Sequence, residues 1–215
     1  LLQGYGMTEM ASTVTILTPE DHEKRELLST VGRPVPRTQV RIVNDEGLPC
    51  REGVVGEIQV KSPCAMSGYW KNAAASQEVM QDGWCSTQDM GYVDSDGYLT
   101  LSGRKNDLVV SGGENVYPSE VASCIESMGS FIADVAVTGV PDELWGESLA
   151  AFVVLEPGAS VTEQDIQDYC TLQLGGFKKP RRVIFVDDLK RLVSGKVPKE
   201  RLDELIALLK EDSPD

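Results

Sequence analysis

The sequence has few of the residues that several common kinds of site require. It contains five cysteines, an odd number, and no Cys-x-x-Cys pair. This argues against a disulfide framework or a zinc site and indicates a reducing compartment, the cytoplasm. The one histidine, His22, lies in a polar run. We therefore expect a solvated loop histidine and not a member of a Ser-His or Cys-His pair.

Basic residues are also scarce. The 20 Lys and Arg residues against 34 Asp and Glu residues give a formal net charge of −14, so a general nucleic-acid or anionic-membrane surface is not expected. No apolar run approaches the roughly 20 residues that span a bilayer. The first residues, LLQGYG, contain no initiator Met and no basic region. They do not form a signal peptide, and we expect the C-terminal part of a longer protein.

What is present is an ordinary globular composition, 41% hydrophobic and 25% charged, in a chain long enough for one large or two modest domains. Up to residue 102, short strand-like runs alternate with turns. The predicted strands are 39–43, 56–61, 84–86, 91–93 and 98–102. A helix is predicted over 72–81 with Asn72 as its N-cap. This pattern predicts a small antiparallel or barrel-like unit.

Beyond Gly103, helices and strands interleave and predict a compact α+β domain. Helices are expected from a start capped by Ser119, from a capping-box-like start at Thr162 and Asp165, and over 200–210. The expected strands are 108–110, 135–140, 149–155 and 182–186. The boundary between the two parts is placed at Gly103 and Arg104.

The first of four chemically suggestive clusters is Gly4-Tyr5-Gly6-Met7-Thr8-Glu9. Its glycines let a backbone pass close to a ligand, and Tyr5 offers a flat ring. The Thr8 hydroxyl and the Glu9 carboxylate are hard oxygens suited to phosphate and Mg²⁺. The alternative is a glycine turn around a core tyrosine.

The second cluster surrounds Asp89 in the run 84–91. A buried carboxylate here can accept two hydrogen bonds, which suits a ribose diol. The alternative is an aspartate at a strand end that caps a turn.

The third cluster is the stretch 103–115, in which Arg104 is a fixed cation and Gly112-Gly113 could let a thin ligand pass the backbone. The alternative is a charged hairpin turn.

The fourth cluster is 193–198, where Lys196 follows a glycine turn before the last helix. An ammonium there can reach a developing phosphate charge. The alternative is a solvated turn lysine.

Together, in this order, the clusters resemble the adenylate-forming superfamily of acyl- and aryl-CoA ligases, luciferase-like enzymes and peptide-synthetase adenylation domains. The matching stretches are QGYGMTE at 3–9, STQDMGYVDSDGYL at 86–99, GRKNDLVVSGGENVYPSEV at 103–121 and SGKVPKERL at 194–202. Further matches are VGRPVP at 31–36, GEIQVKS at 56–62, SGYWKN at 67–72 and FKKPRRVIFVD at 177–187. The resemblance covers essentially the whole chain.

The resemblance implies an α+β protein in which 1–102 is the end of a large adenylating domain, mainly its β-barrel subdomain. Residues 103–107 are then a hinge with Asn106 as pivot, and 108–215 are a mobile C-terminal domain. The implied reaction joins a carboxylate to ATP, releases pyrophosphate and transfers the acyl group from its adenylate to the thiol of CoA.

The resemblance also implies residue roles. The implied nucleotide contacts are Gly4 and Tyr5 for adenine, Thr8 for the phosphates, and Asp89 and Arg104 for the ribose hydroxyls. The other implied roles are Glu9 for Mg²⁺, Lys196 for the carboxylate and α-phosphate, Gly112, Gly113 and Glu114 for a pantetheine tunnel, and Met7, Met10 and Ala11 for one wall of the acyl pocket. The apolar wall fits a fatty or an aromatic acid.

The sequence departs from the family pattern in three places. Asn106 stands where Asp or Lys is usual, and Gln88 stands where a glycine precedes the ribose aspartate. Lys190 and Leu192 replace the usual proline and threonine, which predicts a looser loop before Lys196.

Two alternatives to a CoA ligase remain open. One is an adenylation domain that loads a carrier protein, since the same residues serve a protein-bound pantetheine. The other is a non-catalytic module that needs its other half, and we expect the chain alone to be inactive.

Overall fold

The computed structural model describes residues 1–193 and 195–211. The chain divides into two compact units, Leu1–Asn106 and Asp107–Asp215. The border between them falls inside the stretch 103–107. None of the α-helices in the described residues is long and apolar enough to cross a bilayer.

The first unit consists mainly of two antiparallel sheets. The smaller sheet contains β1 (Gln3–Tyr5), β2 (Thr15–Leu17) and β3 (Arg33–Pro34) in that order. The larger sheet contains β4 (Gln39–Val43), β5 (Gly56–Lys61), β6 (Met80–Gln81), β7 (Trp84–Val93) and β8 (Leu99–Arg104). Its order is β4-β5-β7-β6, with β8 also paired to β7. Helix α1 (Ala73–Val79) begins after Asn72, whose side chain accepts the Ala75 N–H as predicted.

The core of the first unit follows from the alternation of apolar residues along these strands. Ile58 and Val60, two residues apart on β5, are both fully buried, as are Cys85 on β7 and Leu99 at the start of β8. Side chains two apart share one face of a strand. Burying each large aliphatic side chain contributes roughly 1.5–3 kcal/mol.

Strand β7 differs from the prediction. Two short strands at 84–86 and 91–93 were expected, whereas Trp84–Val93 is one strand. The polar middle of the run indicated a break, but it pairs with β8, and Asp89 lies opposite Arg104. Gln88 adopts φ of 61°. The pairing of β7 shifts register with each of two neighbouring strands, β5 and β8. The irregularity is therefore absorbed within a continuous strand.

The second unit is a sheet covered by helices on both faces. Its strands are β9 (Val109–Ser111), β10 (Glu114–Val116), β11 (Ile132–Asp142), β12 (Gly146–Leu155) and β13 (Arg182–Phe185). Its helices are α2 (Pro118–Glu126), α3 (Glu163–Leu174) and α4 (Lys199–Glu211). The order is β10-β9-β12-β11, and β13 pairs with β12 in parallel.

Strand β12 shows how the two faces are filled. Leu149, Ala151 and Val153 pack in a core with residues of α2 and α3. The intervening Ala150 and Phe152 pack in a second core with Leu205 of α4. Residues buried on both faces explain why β12 reads as a continuous apolar run.

The helix starts test the predicted caps. Ser119 is not the N-cap of α2, because Pro118 is already helical and Tyr117 is the N-cap. Proline suits the first helical position, where its missing N–H costs nothing. The capping box of α3 is confirmed: Thr162 accepts the Asp165 N–H, and Asp165 accepts the Thr162 N–H.

Candidate active site

Two residues that are distant from each other in sequence, Tyr5 and Arg104, both contact the Asp89 carboxylate. The Tyr5 hydroxyl donates to Asp89 Oδ2 at 2.7 Å, and Arg104 Nε lies 3.2 Å from Asp89 Oδ1. The Asp89 side chain is 16% exposed and that of Arg104 59%. The carboxylate is thus held from two sides while the guanidinium stays accessible to a ligand.

The protonated Tyr5 hydroxyl and two hydrogen bonds of Thr87 fix this arrangement. Burial and the hydrogen bond to Asp89 raise the pKa of Tyr5 above its usual value, so its hydroxyl remains a donor. The Thr87 hydroxyl accepts the Asp89 N–H at 3.1 Å and donates to the Ile58 carbonyl at 2.8 Å. Thr87 was not among the predicted site residues.

The glycines of the GYG motif have different surroundings. A Cβ added to Gly6 would overlap the Ser12 carbonyl, whereas one added to Gly4 would meet only ordinary contacts, at 3.8 Å from the Thr15 oxygen. Gly6 is therefore required by packing. Gly4 is exposed and leaves an open backbone surface beside Tyr5.

Thr8 and Glu9 lie in a one-turn 3-10 helix, Thr8–Met10, directly after the GYG motif. The Tyr69 hydroxyl donates to Glu9 Oε1 at 2.7 Å, and the Met66 N–H donates to the Glu9 carbonyl at 2.7 Å. The hydrogen bond to Glu9 is the largest cause that raises the pKa of Tyr69, to about 12. Tyr69 lies in the stretch SGYWKN and was not among the predicted site residues. No spacing rule links it to Glu9.

Glu9 is compatible with one particular mode of magnesium binding. Among the described residues no three His, Cys, Asp or Glu side chains gather as a metal cluster. Mg²⁺ is often held by only one or two carboxylates together with substrate phosphates and water. The single carboxylate of Glu9, exposed enough to meet a ligand, is compatible with that mode.

The three residues expected to form one wall of the acyl pocket differ from one another in exposure to solvent. Met10 is 1% exposed and packs in the core of the first unit. Met7 is half-buried and Ala11 is exposed. Ala11 ends the 3-10 helix with a left-handed φ of 51°. Only Met7 and Ala11 therefore present surface that a ligand can touch.

The linker region is anchored on one side of Asn106. Lys105 Nζ lies 2.7 Å from Glu57 Oε2, and Glu57 is only 8% exposed. Asn106 is exposed and is the last residue of the first unit. The ion pair ties the chain to β5 immediately before that border.

Gly112 and Gly113 form the two-residue turn between β9 and β10, with φ of 60° and 87°. Positive φ at both positions is the geometry that glycine favours in tight hairpins. A Cβ on Gly112 would overlap the Trp145 ring, while one on Gly113 would meet nothing within 4 Å. Glu114 is exposed. Gly112 is thus accounted for by packing, and Gly113 leaves an open surface.

Lys196 is exposed and lies two residues after Ser194, which falls outside the described residues. The Leu192 N–H donates to the Lys196 carbonyl, and the Gly195 N–H donates to the Leu192 carbonyl, both at 2.8 Å. These two bonds close a turn that presents the lysine just before α4.

Comparison with known proteins identifies the family. The model named AMP-binding enzyme matches residues 1–70, and the model named AMP-binding enzyme C-terminal domain matches residues 120–196. The chain belongs to the AMP-binding enzyme family. The predicted membership in the adenylate-forming superfamily is confirmed.

Curated relatives of this chain include ligases whose names specify different acceptors. An indoleacetate–CoA ligase of Aromatoleum aromaticum is 38% identical over 96% of this chain and 40% of that protein. A fatty acid–[acyl-carrier-protein] ligase of Streptomyces coeruleorubidus is 37% identical over 93% of this chain and 38% of that protein. The chain therefore spans about 40% of the length of these relatives.

Solved structures agree with the fold of this chain. The amide bond synthetase McbA from Marinactinospora thermotolerans has a TM-score of 0.88 and 37% identity over 95% of this chain and 42% of that chain. An o-succinylbenzoate CoA synthetase from Bacillus subtilis, in complex with its acyl-adenylate intermediate, has a TM-score of 0.83 and 36% identity over 94% of this chain and 40% of that chain. The predicted α+β class is confirmed.

Proposed function

We propose that this chain is the C-terminal part of an ATP-dependent acid–thiol ligase. The enzyme activates a carboxylic acid as an acyl-adenylate and transfers the acyl group to the thiol of CoA. The observation that carries the proposal is the Asp89 carboxylate, fixed by Tyr5 from β1 and by Arg104 from β8. It combines a hydrogen-bond acceptor and a fixed cation next to an aromatic ring, in a member of a nucleotide-binding family.

The nucleotide would lie along these residues. Each Asp89 oxygen has two lone pairs, so the carboxylate can accept ribose hydroxyls while it keeps its bonds to Tyr5 and Arg104. The exposed guanidinium of Arg104 donates further hydrogen bonds to the ribose. The open face of Gly4 beside the Tyr5 ring suits the flat adenine.

Thr8 and Glu9 would serve the phosphate end of ATP. The Thr8 hydroxyl would donate to phosphate oxygens. Glu9 would hold Mg²⁺, with its carboxylate oriented by the Tyr69 hydroxyl, which donates to Oε1. The metal, when bound, neutralises charge on the phosphates.

Lys196 would stabilise negative charge on the carboxylate and the α-phosphate during adenylation. Fixed charges at the reacting atoms are worth most in a site that excludes water. The path of the pantetheine arm would be lined by Gly112, Gly113 and Glu114. The open backbone surface in this path would be that of Gly113. A change in the backbone conformation of Asn106 between the two steps would withdraw Lys196 from the reacting carboxylate and bring the pantetheine path into its place. Residues 103–107 would then be the hinge.

The acid would be fatty or aromatic. Met7 and Ala11 are the residues of this chain that offer wall surface, and Met10 is left out because its side chain is buried.

The five cysteines are unpaired in the structure, which supports a reducing compartment such as the cytoplasm.

A carrier-protein pantetheine is the second candidate acceptor. It is favoured by the relative from Streptomyces coeruleorubidus, whose name specifies an acyl carrier protein. The open Gly113 backbone serves either form of the arm. Free CoA and a purified carrier protein, offered in turn to the same acyl-adenylate, separate the two.

The test uses the complete ligase that contains this chain and a panel of fatty and aromatic acids. We expect acid-dependent exchange of pyrophosphate into ATP. Asp89→Asn should raise the KM for ATP by about 10- to 100-fold, since a hydrogen bond to a charged group contributes about 1.5–3 kcal/mol.

The matched control is Asp96→Asn, which changes an exposed aspartate in the turn before β8 and should leave the KM unchanged. No exchange with any acid, or equal effects of the two variants, contradicts the proposal. The chain of 215 residues by itself should show no exchange.

A further inference from the structure

Arg191, in the loop between β13 and α4, uses all three nitrogens of its guanidinium group. Nε donates to Asp134 Oδ1 and Oδ2 at 3.0 and 2.9 Å. Nη1 donates to the Gly195 carbonyl at 2.8 Å, and Nη2 donates to the Val135 carbonyl at 2.6 Å. One side chain therefore joins the turn that precedes Lys196 to strand β11.

The β11 side of this contact is built by an irregularity in the strand. The pairing of β11 with β12 shifts register between Ile132 and Asp134. Asp134 Oδ1 also accepts the Val135 N–H at 2.8 Å, which fixes the carboxylate against its own strand. A charged acceptor and a backbone acceptor thus stand side by side, and a planar guanidinium can engage both.

The loop side contains the peptide next to Lys196. The Gly195 carbonyl that accepts from Arg191 belongs to the peptide bond whose nitrogen is that of Lys196. The Leu192 carbonyl and the Lys196 carbonyl accept the two hydrogen bonds that close the turn. Whatever holds Gly195 therefore also holds the backbone from which the lysine projects.

Lys190 shows why the turn needs this support. The resemblance implies proline at this position, so Lys190 predicts a looser loop here. Lys190 adopts φ of 51°, a conformation closed to proline, whose ring fixes φ near −65°. The hydrogen bond to Asp134 also raises the pKa of Arg191, so the group stays charged.

We infer that Arg191 is a positioning residue that ties the Lys196 turn to strand β11 through Asp134 and Val135. The tether itself is a property of this chain. Its catalytic consequence rests on the proposed function, in which Lys196 acts in adenylation.

The first test measures amide hydrogen exchange of Leu192 and Gly195 in this chain by NMR. Arg191→Lys keeps the charge but offers one nitrogen in place of the three that contact Asp134, Val135 and Gly195. It should accelerate exchange by about 10- to 100-fold, as expected for losing one or two charge-assisted hydrogen bonds. Asp134→Asn, which keeps the size of its side chain, should accelerate the same two amides.

The matched control is Arg41→Lys in the first unit, where Arg41 Nε donates to Gln59 at 2.9 Å and the guanidinium stacks on Trp84. It should leave the Leu192 and Gly195 amides unchanged. If Arg191→Lys and Asp134→Asn also leave them unchanged, the tether is refuted, whatever the function.

The second test measures both half-reactions of the complete ligase. Arg191→Lys should lower kcat for adenylation by about 10-fold with the KM for ATP unchanged. Thioester formation from supplied acyl-adenylate should be unaffected, since a global loss of structure would impair both. Equal loss of both refutes the positioning role. If Lys196→Ala leaves adenylation intact, the proposed role of Lys196 fails, while the exchange result still decides the tether.

Discussion

At the scale of single residues, the motif glycines show that one pattern can have several physical causes. Gly6 has no room for a side chain because of the Ser12 carbonyl, whereas Gly4 has room and stays exposed. The sequence could only predict close backbone approach for both.

This difference gives a stability prediction. Gly6→Ala should destabilise the first unit by about 1–3 kcal/mol, because the methyl group must displace backbone. Gly4→Ala should cost less than about 1 kcal/mol. Urea unfolding of the two variants measures both values, and equal destabilisation would contradict the packing explanation.

Lys196 gives the residue-scale prediction about chemistry. Lys196→Ala in the complete ligase should lower the rate of adenylation by about 10²–10³, as for loss of a fixed group that stabilises developing charge. It should largely spare thioester formation from supplied acyl-adenylate. Single-turnover assays of each half-reaction check this, with Lys199→Ala, an exposed lysine at the start of α4, as control. Equal loss of both steps would refute the division of labour.

At the scale of elements, strands β4 and β5 were predicted with their observed bounds because their alternation is regular. Strand β7 was predicted in two pieces because Gln88 and Asp89 interrupt its pattern. Its continuity depends on pairing with β8, which local periodicity does not report. The Asp89 cluster was recognisable by residue type. The Tyr69–Glu9 bond joins residues 60 apart and had no sequence signal.

The α3 capping box provides an element-scale prediction with a pH dependence. Thr162→Ala should destabilise the second unit by about 1 kcal/mol at neutral pH. The Thr162 hydroxyl and N–H lower the pKa of Asp165 from 3.8. Their stabilising effect is therefore present above pH 3.8 and is lost as the pH falls below it. The difference in free energy of unfolding between the unchanged chain and the Thr162→Ala variant should decrease in acid, as measured by urea unfolding. A difference that is constant with pH would contradict this account.

At the scale of the whole molecule, the chain consists of two units that meet in sequence at Asn106 and Asp107. Lys105 is held by Glu57 on the first unit. A rotation of the second unit would then be concentrated at Asn106 and the residues after it, since Lys105 is anchored.

This organisation predicts the effect of stiffening the linker. Asn106→Pro restricts φ at the proposed pivot, so one conformation of the complete ligase should be favoured. One half-reaction should fall by at least about 10-fold while the other is retained. Asn106→Ala, which keeps φ free, is the control and should retain both. Rapid-quench measurement of each half-reaction checks this, and full activity of the proline variant would exclude a pivot at this position.

The packing of Trp145 on Gly112 has a practical consequence. The indole lies against the turn and carries the Arg181 guanidinium 4.5 Å from its ring centre. The other two tryptophans, Trp70 and Trp84, belong to the first unit. Replacing them with phenylalanine leaves Trp145 as the one tryptophan of these 215 residues, beside the proposed thiol path. Its emission would then report occupancy of that path without any label.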